Sequence, residues 1–250
     1  MRCQPASWKV VYKWLNNDQI CFLCDGPPGD QRSLCNACEA DLAWLDSCCI
    51  RCALPLPMLS PHQGLICGDC QKKPPQFDQV VSPWRYSFPI DTLVTQFKHH
   101  GKWPVGRLLG QLLSHHLRNA FAAGLPRPDL LLPVPLGKQR LRQRGFNQAG
   151  MLAHWLEPRL NVPVNARLLR RIRETDAQQA LDATARQRNL RNAFVLDDAA
   201  QVAGKHLALI DDVLTTGATA NSLAGLLKKA GAQRVDVYCL ARTPKPGETA

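Results

Sequence analysis

Hydrophobic positions divide this chain into two unlike parts. Over residues 105–122, Leu108, Leu109, Leu112, Leu113, Leu117 and Phe121 recur at helical spacing and predict an amphipathic helix. Residues 146–156 repeat that pattern, and so do residues 219–230, which Gly231 closes. Between the helices lie short apolar runs without polar alternation: residues 129–135 (DLLLPVP), a part of 161–172, 206–210 and 234–240. Residues 78–86 are strand-like as well, with Pro83 restricting them to an edge or a bend. Strands that are apolar throughout, alternating with helices, predict an α/β fold with a mainly parallel sheet covered on both faces. Ligands of such sheets sit at the carboxyl ends of the strands, where loops enter helices.

Before residue 78 this pattern disappears and cysteines replace it. Ten of the 11 cysteines lie between Cys3 and Cys70. Eight form four C-x2-C pairs: Cys21/Cys24, Cys35/Cys38, Cys49/Cys52 and Cys67/Cys70. A two-residue gap lets both thiolates of a tight turn face one tetrahedral ion, and two such turns close a structural site. Four pairs therefore predict two structural zinc ions, most simply in the sets Cys21/Cys24/Cys35/Cys38 and Cys49/Cys52/Cys67/Cys70. An iron–sulfur cluster would use the same residue type, and Cys48 competes with Cys49 for a place. So small a module has little core, and each zinc ion would supply about 10 kcal/mol of folding free energy. The pattern breaks at Lys72-Lys73-Pro74-Pro75. The expected organisation is a small module with two zinc sites at residues 18–73 and a larger domain at 78–245.

Composition adds a partner class. The chain has 250 residues, 45% of them hydrophobic, and a formal net charge of +11, so a mainly disordered protein is excluded. The charge is not spread evenly: residues 138–191 hold 12 basic and 4 acidic side chains. That concentration favours an anionic partner, either a phosphorylated small molecule or nucleic acid. Apolar runs such as 130–132 and 207–210 fall far short of the roughly 18 residues of a membrane span, so no membrane insertion is expected. The stretch MRCQPASWKVVYKWLNN has no continuous apolar centre of the secretory kind, which makes a cytoplasmic location the expectation.

One segment concentrates the chemistry. After the apolar run 207–210 come Asp211 and Asp212, then Val213 and Leu214, then Thr215, Thr216, Gly217, Ala218 and Thr219 at the start of a helix. Backbone N–H groups at a helix start, beside Thr hydroxyls and a close-approach glycine, cradle a phosphate. Carboxylates repel phosphate but suit the hydroxyls of a sugar, directly or through a divalent cation. A phosphate beside a vicinal diol describes a ribose 5-phosphate. Walker and dinucleotide-binding glycine patterns are absent.

The segment ALIDDVLTTGAT resembles the phosphoribosyl-pyrophosphate (PRPP) motif of type I phosphoribosyltransferases. Leu132-Pro-Val-Pro-Leu136, the block from Arg140 to Gln148 (RLRQRGFNQ), Thr175-x2-Gln178 and Arg186-x2-Asn189-Leu190 narrow the resemblance. With the cysteine module, they resemble the ComF family and especially its GntX-like DNA-utilisation members. That resemblance implies a type I phosphoribosyltransferase-like domain behind a double zinc ribbon, and a part in competence, DNA uptake or DNA utilisation. It implies that Asp211 and Asp212 hold the ribose hydroxyls of PRPP and that residues 215–219 wrap its 5-phosphate. Mg²⁺ would bridge the pyrophosphate, and Arg140, Arg144 and Asn147 fall in a block suited to it. Lys98 is the better candidate in Phe97-Lys98-His99-His100-Gly101, where the family often has other residues in place of the two histidines. The partners implied are PRPP, single-stranded DNA and DNA-uptake proteins. The alternative is an active transferase that moves ribose 5-phosphate from PRPP to a nucleobase-like acceptor.

Overall fold

The computed structural model describes residues 20–29, 33–57, 64–173 and 193–245. Two cysteine loops come first, leading into the short helices α1 (Asn36–Ala40) and α2 (Gly68–Lys72). An extended stretch follows as β1 (Gln79–Val81) and β2 (Trp84–Arg85), interrupted at Ser82-Pro83. Helices α3 (Ile90–His100) and α4 (Trp103–Ala122) lead to β3 (Leu130–Pro133). Next come α5 (Lys138–Arg144), α6 (Gln148–Leu160) and the strands β4 (Leu169–Arg171) and β5 (Phe194–Leu196). The chain closes with β6 (His206–Leu214), α7 (Ala218–Lys229) and β7 (Arg234–Arg242).

The apolar runs become a parallel sheet in the order β1–β7–β6–β3, with β2 continuing along β7 beyond β1. Alternate side chains of the central strands enter opposite layers, as the strand period of two requires. Ala208, Ile210, Tyr238 and Leu240 join Leu93, Phe97, Leu109, Leu113, Leu152 and Leu156 on the face covered by α3, α4 and α6. Leu207, Leu209, Val235 and Val237 join Leu223, Ala224 and Leu227 of α7 on the other. Both layers are apolar, which is why these strands show no polar alternation.

The cysteine loops cover the β1/β2 edge. Leu45 donates its N–H to the Pro83 carbonyl at 2.9 Å, Arg85 donates to Ala43 at 2.8 Å, and Val80 donates to Arg51 at 2.8 Å. Trp44 packs on Trp84 with ring centroids 5.7 Å apart. An edge strand with unpaired backbone groups would otherwise invite association with other chains. Cys21, Leu34 and Leu42 are buried in the same layer as α3 and α4, so the first ribbon adds to the core of the sheet.

Several elements differ from the sequence reading. Strand β6 runs on to Leu214, because Val213 and Leu214 pair with Ala241 and Arg242 of β7. The strand expected within 161–172 is β4, which pairs antiparallel with β5 outside the main sheet; only Val164 bridges to Leu131. Helix α6 continues through Pro158 to Leu160 and ends at Asn161 in the left-handed conformation. Helices α3 and α5 are additional. The stretches around Thr175, Gln178, Arg186 and Asn189 lie outside the described residues.

The crossing of α3 and α4 is set by one glycine. A Cβ at Gly106 would lie 2.3 Å from the buried Phe97 ring, so the helices approach closely only because that atom is missing. Alanine in a helix interior is ordinarily better than glycine by about 1 kcal/mol. Here the clash reverses the sign: Gly106→Ala should lower stability by about 1–3 kcal/mol in urea unfolding. The same change should cost less in a Phe97→Leu background, and a stabilised Gly106→Ala protein would contradict this packing.

Candidate functional site

Strand β6 delivers two carboxylates to the carboxyl edge of the sheet. Asp212 is buried at 7% exposure and Asp211 is half-buried. Asp211 Oδ1 accepts the N–H of Asp212 at 2.9 Å, and Asp212 Oδ1 accepts the N–H of Val213 at 2.7 Å. The other oxygen of Asp212 lies 2.8 Å from Nζ of Lys98 on α3. Burial, and then the charge of Asp212, pushes the Asp211 carboxyl up to about 7, against the pull of Lys98 and the Asp212 N–H. Burial also lowers Arg144 on α5, with Asp212 opposing that shift and Arg140 adding to it. Lys98 thus pairs with Asp212 from α3, and Arg144 lies within reach of the Asp212 charge from α5, with Arg140 beside it on the same helix.

Beyond Leu214 the chain turns into α7. Thr215 and Thr216 are exposed, and Gly217 caps the helix with φ +73°. A Cβ there would meet Phe77 only at ordinary contact distance, 3.7 Å, so the left-handed backbone is what calls for glycine. Thr216 Oγ1 accepts the N–H of Ala218 at 3.4 Å, while the N-cap residue supplies no side-chain acceptor to the first turn. The helix therefore offers N–H groups and the positive end of its dipole beside the acidic pair, an arrangement that receives an anion. Ala218 and Thr219 line this first turn, half-buried.

Not every residue of the RLRQRGFNQ block faces this edge as a free donor. Asn147 is the N-cap of α6: its Oδ1 accepts from Ala149 N–H and its Nδ2 donates to the Val134 carbonyl, both at 3.1 Å. It fixes the loop after β3. His99 is exposed. Arg242 is a site-adjacent residue that the sequence reading does not single out. It ends β7 almost wholly buried, with its guanidinium on the carbonyls of Leu214 and Thr215. The available signal is a charge at the end of the apolar run VDVYCLAR.

The eight cysteines gather in the two expected sets, Cys21/Cys24/Cys35/Cys38 and Cys49/Cys52/Cys67/Cys70, with the sulfurs of each set within 4.8 Å of one another. Zinc–sulfur bonds of about 2.3 Å in a tetrahedron give sulfur–sulfur edges of about 3.8 Å. Cys24 and Cys35 stand 3.8 Å apart and Cys52 and Cys67 3.7 Å apart, so both sets fit structural zinc. In each set one thiolate is favoured in advance. Although burial opposes it, backbone N–H donors from Cys35, Leu23 and Cys24 lower Cys21 to about 6. Those of Cys67, Cys52 and Arg51 likewise lower Cys49 to about 7. Cys48 stands outside both sets, its thiol pushed up by burial and then by the Cys49 charge. Among the described residues no helix is long and apolar enough to cross a membrane.

Residues 15–71 match the double zinc ribbon domain family, and residues 145–249 match the phosphoribosyl transferase domain family. The fold and site therefore define a double zinc ribbon joined to a phosphoribosyltransferase-type domain. The DNA utilization protein YhgH of Salmonella typhi is 37% identical over 230 residues, covering 90% of this chain and 97% of that protein. Competence protein F of Haemophilus influenzae is 33% identical over 214 residues, covering 85% and 91%. Among solved structures, the glutamine PRPP amidotransferase from B. subtilis aligns with 58% of this chain and 30% of its own, at 16% identity and a TM-score of 0.39. On its curated relatives, the chain belongs to the ComF family of DNA-utilization and competence proteins.

The raised Asp211 carboxyl sets a pH dependence. Its ordinary value of 3.8 applies to the unfolded chain, so between about pH 4 and 7 the native state holds a proton that the unfolded state releases. The resulting stabilisation is complete below that window and is lost as pH rises through it, at no more than about 1.4 kcal/mol per pH unit. Urea midpoints across this range should fall less steeply with pH in Asp211→Asn than in the wild type. Parallel profiles would mean that Asp211 is ionised throughout.

Proposed function

We propose that the carboxyl end of β6 and the start of α7 bind PRPP, in a cytoplasmic protein that serves DNA uptake or utilisation. The observation that carries this reading is the placement of Asp211 and Asp212 directly before the glycine-started helix, with Lys98 paired to Asp212 and Arg144 within reach of its charge. The 5-phosphate would take the amides and hydroxyls of Thr215, Thr216, Gly217, Ala218 and Thr219. The two ribose hydroxyls would donate to Asp211 and Asp212, sharing Asp212 with Lys98. Arg140, Arg144 and Lys98 would face the pyrophosphate, and Asn147 would hold the adjoining loop in place. Mg²⁺, arriving with the pyrophosphate, supplies further neutralisation of its charge when bound. The names of the relatives support the DNA-related part of the reading.

PRPP with Mg²⁺ should raise the thermal midpoint of the purified protein. A ligand at 100 times its dissociation constant stabilises by roughly 2.7 kcal/mol, enough to resolve. Asp211→Asn/Asp212→Asn should lose this response while remaining folded, and an undiminished response would remove the site assignment. The intact acidic pair also favours turnover to a nucleobase-like acceptor. Pyrophosphate release from PRPP in the presence of free bases separates turnover from binding.

Single-stranded DNA fits the basic surface of the same domain. Lys138 and Arg142 on α5 are exposed, and Trp103, 55% exposed, stands 6.0 Å from the Phe146 ring. With so few aromatic side chains available for stacking, charge should dominate and sequence preference should be weak. Fluorescence anisotropy across a salt series should give a log–log slope of about −0.7 per phosphate neutralised. Lys138→Glu/Arg142→Glu should weaken binding and flatten that slope. Salt-insensitive binding would place the DNA surface elsewhere.

A further inference from the structure

One buried side chain joins the second zinc ribbon to the loop after β6. Arg242 is 7% exposed, and among the described residues no carboxylate lies within ion-pair distance of it. Its Nε donates to the carbonyl of Cys52 at 2.9 Å. Its Nη1 donates to the carbonyls of Leu214 at 3.1 Å and Thr243 at 2.7 Å, and also to that of Thr215. Cys52 belongs to the second four-cysteine set, and Leu214 and Thr215 open the loop. A buried guanidinium without a carboxylate depends on these carbonyls, so displacing any of them leaves a charge poorly solvated.

Three more contacts lie around this junction, two from the segment that follows the second ribbon and one from the segment that follows β7. The N–H of Gln76 donates to Asn221 Oδ1 on α7 at 2.6 Å. Phe77 packs beneath Gly217. Lys245 pairs with Asp69 of α2 at 2.8 Å. The first ribbon is seated differently, with Cys21, Leu34 and Leu42 in the layer of α3 and α4. Its Cys24 is exposed, whereas Cys49, Cys67 and Cys70 of the second set are all buried.

We propose that Arg242 is a positioning residue that couples occupancy of the second zinc site to occupancy of the loop at residues 215–219. Zinc fixes the Cys52 turn, the Cys52 carbonyl fixes Arg242, and Arg242 fixes the carbonyls from which the loop departs. A ligand on the loop therefore retains the second zinc ion, and that ion tightens the ligand, by the same factor in both directions. The first zinc ion takes no part. This inference rests on the reading of the loop as a PRPP site.

Zinc release from the full zinc-loaded chain to the indicator pyridylazoresorcinol, with Mg²⁺ in excess, tests it. Two phases are expected, and the faster one, from the exposed first site, should vanish in Cys24→Ser. PRPP should slow the second phase by about fivefold or more and leave the first unchanged. Arg242→Met should abolish that slowing, while Arg242→Lys, which keeps a donor, should retain part of it. PRPP that binds by calorimetry yet slows neither phase, or both equally, overturns the coupling. PRPP that does not bind overturns the ligand reading instead, and hydrogen exchange in the wild type then decides the coupling alone. Loss of the second zinc ion should speed amide exchange at residues 215–219, and unchanged exchange there overturns the proposal.

Discussion

Two carboxylates stand side by side where a strand buried on both faces reaches the sheet edge, and keeping them there costs free energy. Removal from water, and then the charge of Asp212, are what raise Asp211. The surrounding structure offsets that cost with cations delivered from other elements. Lys98 arrives on α3, whose approach to α4 is fixed by Phe97 against Gly106. Arg144 arrives on α5, a helix with no buried residue of its own that lies in the chain between β3 and the N-cap of α6. A ligand with hydroxyl donors and phosphate oxygens would satisfy both kinds of group at once.

The two ends of the central strands make the contrast plain. At the amino ends, Asp236 is wholly buried but fully engaged: His206 Nε2 lies 2.9 Å away and Arg234 Nε 3.0 Å away. The N–H of His206 is itself held by Asp129 at 2.8 Å. That network ties β6 to β7 and leaves both oxygens of Asp236 with partners. At the carboxyl ends the pairing is looser, with one lysine for two carboxylates and a helix start without a side-chain cap. Chemistry belongs to the end where the protein has left its polar groups incompletely answered. The zinc ribbons, docked along β1 and β2, stiffen the sheet from its edge and reach this same end through Arg242.

Much of this was legible from residue patterns, for identifiable reasons. Four C-x2-C pairs require a tetrahedral ion, and the apolar runs at β6 and β7 require two covering layers. Helix α3 was legible in principle, since Ile90, Leu93, Val94 and Phe97 fall at helical spacing and are all buried. Helix α5 was not, because KQRLRQR has no apolar face from which a period can be read. The extent of β6 depended on pairing with β7, a tertiary fact that local sequence does not carry. Asn147 stood out in its motif, yet the hydrogen bonds that give it a capping role appear only in three dimensions. Arg242 was hidden for the same reason: its partners are backbone carbonyls, which leave no mark on the sequence.

The place where a phosphoribosyl ligand lands on the protein decides the role of the acidic pair and of the helix start beside it. Backbone amide shifts of isotope-labelled protein, followed by NMR while PRPP and Mg²⁺ are added, answer this residue by residue. The largest changes should fall on residues 215–220, with Asp211 and Asp212 next and the amino ends of β6 and β7 unmoved. Changes confined to α5 or to the cysteine loops, with the start of α7 silent, would contradict that role.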